Sequence, residues 1–447
     1  MKTGSFFLMI VLVPLSFSAC KMSSGSTSGS TVDYVPVTGA NPGIVSILSA
    51  SLASPSARGI VNRFNHTISF YLPGGSSLSS LTPSFVTASG VTVVSPTSPL
   101  LDLSSPVIVS LSDGSSYTMQ AFATTPSAAV VDGWIGSGIN LGNDLDAWPG
   151  AEGSWTNGVV AQEYFFDDYV RMGLTSARVP VTWGMATNPA DRLDSVSPYN
   201  VNPSFMGRVD TVVGWGIDAG MTVVVNAHHE NWIRTLTGSA LTAQLPRFEA
   251  LWSQIATHFV TWPPQLVFEI INEPQGAMTD ADVNTLNNAI LPIIRGTGGF
   301  NKTRIVIIGA NNYNSMYTLQ DGVFSVPSDP YVIVNFHNYN PWTFAGESMS
   351  TWGSSSDIAS MTSDFNNVAS WSQTKGAPLY MGEYGVTFEY NGAKTDLPSR
   401  ALWYKNMRQL AKSKGIAMTF WDDYGDFKIY DRVNRSYDNS VIPTVIQ

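Results

Sequence analysis

From about position 132 onward the chain alternates between short runs of β-branched and apolar residues and longer stretches whose apolar positions recur at helical spacing. Eight such runs lie at 134–143, 176–183, 222–230, 266–274, 304–312, 331–341, 378–385 and 417–423, with helical candidates at 161–172, 204–219, 247–259, 282–295 and 399–413 between them. This alternation predicts an α/β fold in which helices cover a parallel sheet, and eight units over 133–447 predict a (β/α)8 barrel with loop insertions. The last helix is expected to be stunted, at 439–446 with Pro443 inside it. Between 44 and 124 the texture differs. Short segments at 67–72, 91–94, 107–111 and 117–122 are rich in β-branched residues and punctuated by Pro, Gly and Ser, and Thr67 and Ser69 alternate with Ile68, Phe70 and Leu72. A period of two at this spacing predicts a small all-β sandwich ahead of the barrel. Residues 22–31 are Ser, Gly or Thr at nine of ten positions, a flexible-coil composition. The expected organisation is a leader at 1–20, a linker at 21–42, a sandwich module at 43–126 and the barrel at 127–447.

Lys2, the apolar run 6–15 and the small residues up to Ala19-Cys20 reproduce the three regions of a secretory signal peptide, so export is expected. The apolar run is about half of what a membrane span needs. Cys20 is the single cysteine, so an intrachain disulfide is excluded and a catalytic thiol would have to lie inside the leader. Phe17-Ser18-Ala19-Cys20 resembles the bacterial lipoprotein cleavage box, which implies acylation of Cys20, a cell-envelope location and membrane contact through that anchor alone. Free secretion after ordinary cleavage is the alternative.

Charge narrows the partners. Only 13% of the 447 residues are charged, 33 acidic against 23 basic, and a net charge of −10 leaves no basic footprint for nucleic acid. The 44% apolar share excludes wholesale disorder. All 13 tryptophans lie at position 134 or later, so the sandwich lacks the flat platforms that hold sugar rings and reads as a spacer or packing partner. Tyr34, Tyr71 and Tyr117 keep a sugar-binding role open. In pattern the module resembles the immunoglobulin-like modules attached to bacterial extracellular enzymes.

Each of the eight runs begins apolar and ends polar: Asn143, Arg178, His228-His229-Glu230, Asn272-Glu273, Asn311-Asn312, His337 with Tyr339, Glu383, and Trp421 with Asp422. The carboxyl ends of barrel strands form the catalytic face, so these residues are expected to converge on one pocket. Wet loops would make any one of them polar, but not the whole set at one end. Glu273 and Glu383 are expected to face each other, and two carboxyls about 5–5.5 Å apart suit a retaining glycoside hydrolysis. Arg178 would lower the pKa of Glu383, and the resulting anion would raise that of Glu273, making Glu383 the nucleophile and Glu273 the acid and base. His337 and Tyr339, two apart, point to the same side, where Tyr339 can hydrogen-bond the nucleophile and His337 can steer a proton or a sugar hydroxyl. Trp421 would form a hydrophobic floor, and Asn272 suits a hydrogen bond to a 2-hydroxyl. Trp148, Trp155, Trp232 and Trp342 could line subsites. His228 and His229, as strand neighbours, are expected on opposite faces. With no HExxH, no His-x-His pair and no G-x-S-x-G elbow in the barrel, neither a metal nor an organic cofactor is expected.

The motifs GINLGN at 138–143, ARVPVTW at 177–183, VNAHHE at 225–230, EIINEP at 269–274, FHNYNP at 336–341, GEYG at 382–385 and TFWDD at 419–423 resemble, in order, those of glycoside hydrolase family 5. The resemblance spans the barrel end to end. It implies that Glu273 is the acid/base and Glu383 the nucleophile, that Arg178, His228, His229, Asn272, His337, Tyr339 and Trp421 complete the pocket, and that Asn143 supports it. It also implies hydrolysis of internal β-1,4 links in cellulose-like or mixed-linkage β-glucan, as polysaccharide or oligosaccharide; the stretch 337–344 is most like the cellulase branches. Tyr384 stands where the family often has Phe, and Asp422-Asp423 where an Asn often follows. Action as a monomer is expected. The alternatives are a β-mannanase or xyloglucanase on the same scaffold and, from another class, a surface lipoprotein that binds polysaccharide without cleaving it.

Overall fold

Eight parallel strands, β1 (Ser137–Asn140), β2 (Ser176–Val179), β3 (Thr222–Asn226), β4 (Leu266–Glu269), β5 (Val306–Gly309), β6 (Val332–Asn338), β7 (Leu379–Tyr384) and β8 (Ala417–Phe420), each pair with the next, and β8 closes on β1. This barrel belongs to a computed structural model that describes residues 32–39, 42–43, 45–124, 127–184, 192–349 and 351–447. The leader, Cys20 and the stretch 22–31 lie outside the described residues. The strands are buried on both faces, as in other all-parallel sheets, and are shorter than the apolar runs that announced them. The run 266–274, for example, keeps ladder geometry only over Leu266–Glu269. The polar tails therefore sit just beyond the ladder.

Two layers fill the interior. Val224, Val267, Ile307, Ile333 and Ala417 belong to an apolar cluster with Ile135 and Tyr380. Two positions further along their strands, hence on the same face, come Asn226, Glu269, Gly309, Asn335 and Thr419. The upper layer is polar and supports the mouth.

The covering helices are α1 (Glu163–Arg171), α2 (Pro203–Asp218), α3 (Gly238–His258), α4 (Asp280–Gly296), α5 (Ser355–Lys375) and α6 (Leu397–Ser413). Asn202 caps α2 by accepting from the Ser204 N–H, and α4 and α5 begin with capping boxes built by Thr279 with Asp282 and by Ser354 with Asp357. Helix α3 begins nine residues before the expected 247. Pro246 forfeits one backbone bond, but burial of Leu241, Phe248, Leu251 and Trp252 carries the helix through it. Helix α5 has a weak sequence signal because only Met361, Phe365 and Val368 are buried on it.

The upstream module has a three-stranded sheet (Ser56–Arg58, Ile47–Ala53, Pro83–Thr87) and a five-stranded one (Ile60–Asn62, Thr67–Pro73, Ser116–Thr124, Val107–Leu111, Val93–Ser95). All pairs are antiparallel except Thr67–Pro73 with Ser116–Thr124. Its core includes Ile47, Phe70, Leu72, Val109 and Met119, and Phe300 of the barrel joins it. Arg58 grips Asp218 with two nitrogens (3.1 and 2.7 Å) and lies 4.4 Å over Trp262, while Arg63 Nε donates to Asp167 (2.7 Å). Asp218, Trp262 and Phe300 precede β3, β4 and β5, so the module is seated at the amino ends of the strands, opposite the polar tails. The three tyrosines that kept sugar binding open are spent on packing. Tyr117 is buried with its hydroxyl accepting from Ser46 N–H (3.1 Å), Tyr71 stacks on Phe122 (5.3 Å), and Tyr34 donates to Lys428 O (3.0 Å).

The expected linker 21–42 is not all linker. Tyr34–Pro36 pairs antiparallel with Ser436–Asp438, which pairs in turn with Tyr430–Asp431. An aromatic and a β-branched residue suit a strand, and the pairing covers an edge that would otherwise leave backbone groups unbonded. Among the described residues no helix is long and apolar enough to cross a membrane.

Candidate active site

Glu273 lies just past β4, and Glu383 is the last but one residue of β7. One oxygen of each carboxylate and one His337 ring nitrogen all lie within 4.8 Å of one another. A β-bulge between Phe336 and His337 resets the register so that His337 stands opposite Glu383. Glu273 has φ 47° and precedes Pro274, a conformation disfavoured for any residue with a Cβ and again before proline. Strain of this sort is about 1–3 kcal/mol. Backbone bonds on both sides hold it: Asn272 N–H to Ala227 O (2.8 Å) and Gln275 N–H to Arg234 O (2.9 Å).

Arg178, fully buried, is the centre of the polar layer. Its Nε and Nη2 donate to the two oxygens of Glu269 (2.6 and 2.9 Å), Nη1 to Glu383 Oε1 (2.7 Å) and Asn140 Oδ1 (2.8 Å), and Nη2 also to Asn272 Oδ1 (2.7 Å). That occupies the five donors of a guanidinium. Burial opposes its charge, but Glu269 and Glu383 outweigh burial and hold it protonated.

This sharing changes the expected electrostatics. Burial pushes the Glu383 carboxyl above its ordinary range against the pull of His337 and Arg178, because Arg178 is already doubly bonded to Glu269. Burial also acts upward on Glu273, but the hydrogen bond and charge of His337, with Arg234 and Arg178, outweigh it and leave Glu273 below its ordinary range. The order expected from Arg178 alone is therefore reversed in the free site. The Asn335 amide is oriented by Gly382 N–H on its oxygen (2.8 Å) and by Glu269 on its nitrogen (2.9 Å), and that nitrogen faces His337 Nε2 (3.2 Å). His337 Nδ1 donates to Glu273 Oε1 (2.9 Å). The acid/base proton belongs to the Glu273–His337 pair as a unit.

The other expected residues fall as follows. Tyr339 donates to Glu383 Oε2 (3.0 Å), and burial and then Glu383 push its hydroxyl far up, so it stays a donor. Asn272 bridges Arg178 and His228 Nε2 (3.4 Å). His228 lies parallel to Trp421, centroids 5.9 Å apart and planes within 3°. Gly142 makes room for that indole, since a Cβ there would come within 2.8 Å of it. Asn143 donates to Asp423 O (3.0 Å) and pins the loop after β8. His228 and His229 do not diverge as strand neighbours would: β3 ends at Asn226, and their rings meet edge-on at 4.4 Å. Burial holds both well below the ordinary imidazole range. His229 also faces Trp155 (5.7 Å) and Trp148 (6.4 Å).

Trp232 is no sugar surface. It is buried beneath Arg247 (4.1 Å) with its N–H on Glu230, whose carboxylate also accepts from Trp183 and Gly184 N–H and fixes the loop after β2. Tyr384 is buried against Trp403, and Asp422 is consumed by Ile429 and Tyr430 N–H and by Arg432, so neither departure from the family pattern touches the carboxylates. Glu269, Asn140, Asn226 and Asn335 escaped the sequence reading. Their signal is a polar residue at an inward position inside an apolar run.

Among the described residues two trios have ligand atoms within 4.8 Å of one another: Asp146 with His228 and His229, and Glu273 with His337 and Glu383. Both nitrogens of His228 and of His337 already face protein partners, which a metal would have to displace.

A closed (β/α)8 barrel with two carboxylates meeting at the carboxyl ends of β4 and β7 defines a class of barrels with paired acidic residues at the mouth. Residues 138–426 match the model of the cellulase family, glycosyl hydrolase family 5, and the chain belongs to that family. Residues 47–124 match a second model, described as SGBP, N-terminal. The chain is similar to endoglucanase H of Acetivibrio thermocellus, 37% identical over 314 residues that make up 69% of this chain and 32% of the relative. It is similar to the solved structure of endoglucanase Cel5A from Thermotoga maritima, with a TM-score of 0.62, 29% identity, and coverage of 70% of this chain and 97% of the other. A tri-modular endo-β-1,4-glucanase of subfamily 4 from Bacillus licheniformis matches with a TM-score of 0.64 and 32% identity over 71% of this chain and 60% of the other. The chain spans about a third of the length of the first curated relatives it matches.

Proposed function

We propose that this protein is a retaining endo-β-1,4-glucanase acting on internal bonds of cellulose-like or mixed-linkage β-glucan. One observation carries the reading: the Glu273 and Glu383 oxygens lie within 4.8 Å of each other, the short separation of a nucleophile and acid/base pair rather than the wider gap that admits a water. Glu383 attacks the anomeric carbon while the Glu273–His337 pair gives a proton to the departing oxygen. Glu273 then takes a proton from the water that releases the sugar. Tyr339 and Arg178 aim and balance Glu383, Asn272 is positioned for a 2-hydroxyl, and Trp421 with His228 forms a flat wall for the ring. His229, Trp148 and Trp155 extend that wall.

A second reading, β-mannanase, draws support from the solved complex of Thermotoga maritima Cel5A with mannotriose. Reducing-end release from carboxymethylcellulose, lichenan, xyloglucan, glucomannan and xylan ranks these substrates, and silence on all of them favours a polysaccharide binder. Glu383→Gln is expected to abolish turnover of every substrate. Glu273→Gln should slow polymer hydrolysis ~10²–10⁴-fold while sparing the first step on aryl glycosides with good leaving groups. Equal activity after either change reverses the assignment, and an inverted product anomer by NMR removes Glu383 from the nucleophile role. Export with acylation at Cys20 joins the proposal and is tested by palmitate labelling of the wild type against Cys20→Ala. Monomeric action is tested by sedimentation.

A further inference from the structure

The lysines of this chain are unevenly placed. Seven lie beyond position 42, and four of those seven, Lys375, Lys405, Lys412 and Lys414, gather on α5 and α6, which pack against each other. Lys375 ends α5 just before β7, and Lys414 follows α6 just before β8. Both therefore mark the amino ends of the strands, away from the paired carboxylates. Lys405 and Lys412 are seven residues apart and so share one face of α6. All four are exposed.

No carboxylate answers them. The stretches 365–382 and 397–421 hold neither Asp nor Glu, in a chain that has 33. Arg408 of the same helix is buried and donates to Gln447 O (3.2 Å). Among the described residues none of the four lysines makes an ion pair. Near the mouth the arrangement differs: Lys428 lies 3.3 Å from Asp431, and Lys394 stands opposite Glu389 in a hairpin. A cation in the last turn of a helix complements the helix dipole, which accounts for Lys375 and Lys412 taken singly. It does not account for Lys405, eight residues before α6 ends, or for the missing acids. Like charges gathered without partners repel one another, so this face suits an anionic partner.

The net charge of −10 does not forbid such a partner. Electrostatic attraction fades within about 10 Å at 0.1 M salt, so the face presented decides the sign. The four ammonium groups are spread over two helices and do not converge on one point, as a small anion would require. A layer of lipid phosphates is broad and mobile, and long lysine stems can meet it at several places together. We propose that the α5–α6 face docks on the phosphate headgroups of an anionic membrane, leaving the mouth turned away from the lipid. The upstream module leaves this face free, because it is seated at the amino ends of β3, β4 and β5 and the lysines beside β7 and β8 are exposed. The docking depends neither on the hydrolase reading nor on acylation of Cys20.

Lysine footprinting tests it. The protein, purified as the expressing cells process it, is placed with vesicles of phosphatidylcholine alone or with about one quarter phosphatidylglycerol, and pulsed with sulfo-N-hydroxysuccinimidyl acetate. Mass spectrometry then gives the labelling rate of each lysine. On the anionic vesicles at low salt, Lys375, Lys405, Lys412 and Lys414 should label about fivefold more slowly than on neutral ones, while Lys394 and Lys428 change less than about twofold. The protection should vanish by about 0.5 M NaCl. The double variant Lys405→Gln with Lys412→Gln keeps Lys375 and Lys414 as reporters, and their protection should fall about threefold. Equal rates on the two vesicle types, protection spread evenly over all lysines, or undiminished protection in the double variant overturns the proposal. Polygalacturonate at matched charge serves as a further arm, and protection equal to that given by the anionic vesicles makes the partner an acidic glycan and overturns the membrane.

Discussion

A single guanidinium sets the charge balance of the mouth, and its main partner is a carboxylate that does no chemistry in the proposed reaction. Glu269 takes two bonds from Arg178 and is nearly fully buried, so losing its charge breaks a buried ion pair and leaves Glu383 as the one carboxylate bonded to the cation. Glu269→Gln is expected to cost about 3–5 kcal/mol of stability, read by urea unfolding. The same change directs the whole Arg178 charge onto Glu383. A nearby cation favours the carboxylate, so the acidic limb of kcat/KM on an aryl cellobioside should move to lower pH. A limb that stays put would show that Glu269 does not divide that charge. Glu273 and Glu383 were legible because they close apolar runs, where a carboxylate has no structural use. Glu269 was not, since it sits inside a run beside two more prominent letters, Asn272 and Glu273, of the same motif. The reversed carboxyl order was beyond the sequence because it depends on the His337 ring reaching Glu273 and on Glu269 sharing the Arg178 guanidinium.

At the level of elements, all eight strands were legible from apolar runs, but their ends were not. The chain leaves the ladder three to five residues before most runs finish, which is why His228 and His229 can meet instead of diverging. The bulge before His337 has no letter of its own, yet it brings that ring opposite Glu383. The junction between module and barrel was equally silent, because Arg58, Asp218 and Trp262 are far apart in sequence. Arg58 and Asp218 are mostly buried, so Arg58→Ala should lower stability by roughly 1–3 kcal/mol through the lost charge-assisted bonds and the contact with Trp262. A double-mutant cycle with Asp218→Ala should recover part of that as coupling, with kcat unmoved because the junction lies at the far end of the strands. Strict additivity would mean that the pair does not hold the module.

At the scale of the whole molecule, one buried carboxyl makes a contribution to stability that falls as pH rises through the weakly acidic range. Asp146 is fully buried, neither of its oxygens reaches a donor at hydrogen-bonding geometry, and burial pushes it from 3.8 up to about 7 against the weak pull of the Asn143 and Asp146 backbone. Its folded value lies above its unfolded one, so between about pH 4 and 7 the folded chain keeps a proton that the unfolded chain releases. That contribution is full below about pH 4 and gone above about pH 7. Asp146→Asn should therefore melt close to wild type at pH 4 and gain on the order of 2–4 kcal/mol over it by pH 8. Parallel melting profiles would place the proton elsewhere. The seating of the module beneath the barrel has a practical corollary. The module sits at the opposite end of the strands from the paired carboxylates, so a scaffold, a solid support or a second enzyme can be joined on the module side without crowding them.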